Sequence, residues 1–180
     1  MLNITIPGGE FYDQEQNLFF NLKPQNLVLE HSLVSVAKWE SKWKKSFLNS
    51  KTFTAEESLD YVRCMTLTQN VDPEVYNRIT PEIMKQISDY INDPMTATTF
   101  SDNRPEKTNR EVITAEIIYY DMTALNIPFE CQKWHLNRLL TLIKVCNIKQ
   151  QPPKKMGKRE LAQRNHSLNA ARRARLGTKG

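Results

Sequence analysis

Apolar Leu2, Ile4 and Ile6 alternate with polar Asn3 and Thr5, the two-residue period of a half-buried strand, and Pro7-Gly8-Gly9 has the composition of a turn. Residues 17–22 and 26–30 are two further short strand candidates separated by Pro24, so the first thirty residues predict a small antiparallel sheet. From Ser32 the period changes to that of a helix. Ser32 caps a segment reaching about Leu48, with Leu33, Val36, Trp43 and Phe47 on its apolar face and Trp39 beside it. Thr54 and Glu57 have the spacing of a capping box for a helix over 55–68. Asp72-Pro73 and Thr80-Pro81 are cap-plus-proline starts, and the second opens a helix with Ile83, Ile87 and Ile91 that closes at Asp93-Pro94.

The polar stretch from Met95 to Lys107 reads as an exposed loop, either a binding loop or a plain connector. Thr108 and Glu111 form another capping-box pattern. The helix expected after them carries apolar residues on two faces (Ala115, Ile118, Met122 and Leu125; Ile113, Ile117, Tyr120 and Ala124), as a central buried helix would. After Asn126-Ile127-Pro128, a helix over 129–146 is expected to pair with it as an antiparallel hairpin. Glycine is absent between Glu10 and Met156, so Asn49, Asn70, Asn92, Asn126 and Asn147 are the candidates for left-handed helix ends. The fold expected is mainly α: a bundle-like helical body with a small N-terminal antiparallel β segment and a basic, partly helical C-terminal tail. The segments are 1–30, 31–148 and 149–180.

Charge sharpens this division. Residues 149–180 hold ten Lys or Arg and one acid, whereas residues 1–148 hold 15 basic and 19 acidic residues, so a body of −4 carries a tail of +9. The tail's cations are Lys154, Lys155, Lys158, Arg159, Arg164, Arg172, Arg173 and Arg175, together with Lys149 and Lys179. Such a cluster suits phosphates or an acidic protein surface. It contains no aromatic residue for base stacking, so nucleic-acid binding through it would be nonspecific. Its apolar content is too small for a core of its own.

The chemistry is otherwise sparse. The glycine-free stretch excludes P-loop, dinucleotide and nucleophile-elbow fingerprints. Cys64, Cys131 and Cys146 are scattered and read as reduced core thiols, and Cys131 with His135 lacks the further ligands of a zinc site. Glu116 falls between two apolar faces, as a buried structural acid would, and His31 has no evident partner. No cofactor or metal is expected, and no enzyme. Trp39 and Trp43, set among lysines, and Trp134 are candidates either for a partner interface or for core rings covered by lysine stems. No apolar run reaches membrane-spanning length, and the first residues lack the pattern of a signal peptide, so the expected site is cytoplasmic.

Residues 29–48 (LEHSLVSVAKWESKWKKSFL), 61–73 (YVRCMTLTQNVDP), 127–149 (IPFECQKWHLNRLLTLIKVCNIK) and 165–180 (NHSLNAARRARLGTKG) together resemble the tail assembly chaperones of long-tailed bacteriophages. The resemblance implies a non-enzymatic, mostly helical protein of the host cytoplasm. Such a protein binds a tape-measure client and in some cases tail tube subunits, as a monomer or homo-oligomer. The N-terminal β segment and the basic tail have no counterpart in the helical members. A structural tail or connector protein, and a small nucleic-acid-binding protein with a basic arm, are the alternative expectations.

Overall fold

The computed structural model describes residues 1–13, 18–100, 112–150 and 157–177. The chain divides into two compact units, residues 1–147 and 148–180. It is mostly helical, with short antiparallel strands at its start.

Four strands, β1 (Leu2–Ile6), β2 (Gly9–Asp13), β3 (Leu18–Leu22) and β4 (Gln25–Leu29), form two pairs, β1 with β4 and β2 with β3. Both pairs share one register: Leu2 lies opposite Leu29 and Gly9 opposite Leu22, which sets Pro7 opposite Pro24. Neither proline has an N–H to give, so the ladder breaks at that rung. The Pro7-Gly8-Gly9 segment is therefore an interruption within a long ribbon, and not the turn its composition predicts. The near half of the ribbon is anchored by buried Ile4, Ile6, Leu27 and Leu29. The free edge of β4 is covered by residues 65–68: Glu30 N–H donates to Met65 O at 2.9 Å and Leu67 N–H to Val28 O at 2.8 Å.

Helix α1 (Leu33–Trp43) opens with a capping box formed by Ser32 and Ser35. It stops five residues short of the predicted Leu48, where Lys44 adopts a left-handed conformation with φ of 54°. Helix α2 (Ala55–Met65) has the expected Thr54–Glu57 box. Helix α3 is the short Glu74–Asn77, and α4 (Pro81–Asn92) has Thr80 capping and Pro81 in its first turn, as predicted.

Helix α5 (Ala115–Ala124) starts later than the spacing predicts, and residues 108 and 111 lie outside the described set. It buries one face, through Ala115, Ile118 and Met122, while Tyr120 is 70% exposed and Glu116 is exposed, so the two-faced, buried-acid reading is corrected. The predicted helix over 129–146 is broken into a 3-10 turn (Phe129–Lys133) and α6 (Leu136–Gln150). Helix α1 is the hub of the body and packs on α2, α5 and the 3-10 turn. Among the described residues, Asn70 and Asn126 take the left-handed conformation as expected, but Lys44 and Met95 do so in place of Asn49, Asn92 and Asn147.

The second unit contains α7 (Lys158–Leu176), which ends at Gly177 with φ of 65°, the usual left-handed glycine stop. Among the described residues no helix is long and apolar enough to cross a membrane.

Candidate functional site

The lysine–tryptophan segment is turned inward. Trp39 has no exposed surface, and its indole N–H donates to Glu57 O at 3.0 Å. Its ring stacks on Trp43 at 6.2 Å between centroids and meets Phe47 edge-on at 5.3 Å. Trp39 is thus a core ring, which corrects its reading as a partner contact. Trp43 is half-buried and donates its N–H to Asp60 Oδ2 at 2.8 Å.

The neighbouring lysines are matched by acids of α2: Lys42 pairs with Asp60, and Lys45 with Glu57. Glu57 is held below the ordinary glutamate value by the Lys45 hydrogen bond and by the backbone N–H of Thr54. At Asp60 burial pushes the carboxyl up, but the hydrogen bonds from Lys42 and Trp43 outweigh it and the net shift is downward. Trp134 is half-buried, with the Arg138 guanidinium 4.3 Å over its ring. The three tryptophans are therefore bound up in the body, and none stands as a bare exposed ring.

The basic helix is the opposite case. Lys158, Arg159, Arg164, Arg172, Arg173 and Arg175 all lie on α7 and are exposed, whereas Lys154 and Lys155 lie outside the described residues. Helix α7 carries six cations and one acid over 19 residues. Leu161, Arg164, Leu168, Arg172 and Arg175 recur at spacings of three and four, which places them along one stripe. Leu161 and Leu168 are 47% and 46% exposed. The stripe combines apolar anchors with guanidinium groups suited to carboxylates or phosphates.

The body also holds a buried polar cluster that the sequence did not disclose. His31 is 2% exposed, and its Nδ1 lies 2.5 Å from the Tyr61 hydroxyl. Its ring sits 5.0 Å from that of His135, edge to face. The backbone ties the two together, because Ser32 bridges His135 and Leu136 N–H donates to His31 O at 2.7 Å. His135 accepts from Asn137 N–H at Nδ1, so its Nε2 carries the hydrogen that Tyr90 O accepts at 3.0 Å. Tyr90 in turn donates to Glu30 Oε1 at 2.8 Å.

Burial, together with the neighbouring His135, lowers the His31 pKa to about 3, so the ring is neutral at pH 7. Burial raises Tyr61 and Tyr90 above the ordinary phenol value, and burial likewise raises the Cys131 thiol. Among the described residues no cluster of three or more His, Cys, Asp or Glu is placed to hold a metal ion. The residues of this cluster are far apart in sequence and of mixed type, so no spacing rule could have found them.

The chain matches no protein-family model, no curated protein and no solved structure, and its functional reading rests on its own residues.

Proposed function

We propose that the protein is a non-enzymatic tail assembly chaperone of a long-tailed bacteriophage, acting in the host cytoplasm on a tape-measure-like client. The observation that carries this reading is α7. A helix of 19 residues with its leucines in solvent gains stability by laying them against another protein. Its arginines suit a client with acidic residues flanking an apolar groove or helix face. In this reading the bundle-like body is a platform and residues 149–180 are its basic arm. The sequence resemblance supplies the client class. It also leaves tail tube subunits and a second copy of the chain as further partners. Three of the stretches that carry it (29–48, 61–73 and 127–149) meet in the body through the Leu29–Thr66 and Ser32–His135 bridges.

The test is co-expression of the full chain with the tape-measure protein of the same phage, followed by nuclease treatment and size-exclusion chromatography. A soluble complex that survives nuclease is the expected result. Client that stays insoluble, or that co-elutes only through nucleic acid, overturns the reading. The second reading is a nucleic-acid binder, favoured by the six cations of α7; without aromatic residues for base stacking, such binding by the helix would be nonspecific. It requires affinity that falls steeply with salt, because counterions are released from each phosphate contacted. A structural tail or connector role would instead leave the chain in the finished particle.

A further inference from the structure

A cleft with a volume of about 510 Å³ opens beside the buried polar cluster. Helices α2 and α4 form its sides, and the connection between α1 and α2 forms its rim. Phe47, Phe53, Ile87 and Ile91 give it apolar walls, and His31 and Tyr61 lie among its lining residues. The volume falls within the range of about 300–1,000 Å³ usual for small-molecule sites.

Two properties define what it would hold. First, among the described residues none of the 13 that line it is Asp, Glu, Lys or Arg. An anion or cation placed there would lose its hydration without gaining a counter-charge. His31 supplies none, since burial keeps its ring neutral. Second, His31 spends Nδ1 on Tyr61, while its Nε2 has no hydrogen-bond partner among the described residues. A neutral imidazole offers a donor at one nitrogen and an acceptor at the other, and the Tyr61 hydroxyl can serve either. Nε2 therefore presents one hydrogen-bonding position of either sense. A ligand hydroxyl answers both senses, whereas a carbonyl answers only the donor.

We propose that this cleft binds an uncharged, largely apolar small molecule whose hydroxyl group hydrogen-bonds to Nε2 of His31. The site is independent of α7 and of the client reading.

The experiment uses the full chain at pH 7.5 with 1-naphthol and with its anionic analogue 1-naphthoate. Binding is followed by equilibrium dialysis and by the ¹⁵N shift of the His31 ring. The expected result is a single site for 1-naphthol, a displaced Nε2 resonance, and binding of 1-naphthoate at least about tenfold weaker, since its charge would go unpaired. Ser88→Trp fills the cleft from an exposed position on its α4 side, so it should abolish binding while leaving the thermal midpoint unchanged. Failure of 1-naphthol to bind, an unmoved Nε2 resonance, or undiminished binding to Ser88→Trp would each overturn the proposal.

Discussion

The carboxylate of Glu40, on α1, accepts the backbone N–H of Ala115, 75 residues away, at 2.7 Å. Through its other oxygen it accepts the N–H of Phe47, also at 2.7 Å. One buried side chain thus closes the turn after α1 and caps the start of α5. The α5 cap residue, Thr114, makes no side-chain hydrogen bond of its own. A carboxylate at that position also complements the positive end of the helix dipole.

Glu40→Ala removes both acceptors and leaves two amides without them. It should cost about 3 kcal/mol or more, since each charge-assisted bond contributes about 1.5–3 kcal/mol. Glu40→Gln keeps one acceptor oxygen and should lose about half as much. Urea unfolding midpoints of the two variants provide the comparison, and equal losses would argue against a shared carboxylate.

Trp39→Ala should destabilise the body by about 3–5 kcal/mol, the cost of a large cavity among buried rings. Lys38→Ala, at an exposed neighbouring position, should stay within about 0.5 kcal/mol of the parent. Thermal and urea melts read both. An unchanged melt for Trp39→Ala would return that ring to the surface.

His31 gives the fold a pH limit. Its pKa is about 3 in the folded chain against 6.5 when unperturbed, so the unfolded chain takes up the proton first. Its contribution is complete above the unperturbed value and is lost as pH falls from there towards the folded value. Between pH 7.5 and pH 5.0 the loss should be about 2 kcal/mol, one proton's worth of linkage. Glu57 and Asp60 are also held low, so their losses come as pH falls further, through the carboxylate range. His31→Gln should flatten the slope above pH 5, and a parent midpoint that is flat between pH 5.0 and 7.5 would contradict the assignment.

Arg172→Glu with Arg175→Glu reverses two charges on the leucine-bearing stripe of α7. Both positions are exposed, so the thermal midpoint should hold. Client solubilisation in the co-expression assay should fall by at least about tenfold, because like charges then face an acidic partner. Unreduced solubilisation would move the contact away from this stripe.

Local rules were legible wherever one segment decides its own structure. The Thr54–Glu57 box, the Thr80-Pro81 start and the left-handed Asn70 and Asn126 all follow from nearby residues. The failures have a common cause in partners distant along the chain. Helix α5 takes its cap from Glu40, so the Thr108–Glu111 spacing gave the wrong start. The ribbon runs on past Pro7 because Pro24 lies across from it, a pairing visible only once the register is known. At the candidate site the exposed basic residues of α7 could be read from charge alone. The inward turn of Trp39 could not, because the acids that draw in its lysines belong to α2. The His31 cluster draws on the segment between β4 and α1, on α2 and α4, and on the residue just before α6, and no short pattern encodes such a meeting.

The fate of the tryptophans also decides how the molecule can be watched. All three report from the body, and Trp39 does so from a site shielded from water. Helix α7 contains no tryptophan, tyrosine or phenylalanine. Intrinsic fluorescence is therefore a direct optical gauge of folding, but the basic helix has no emitter of its own. A partner that seats on α7 is best followed with a dye attached there or through the partner's own light.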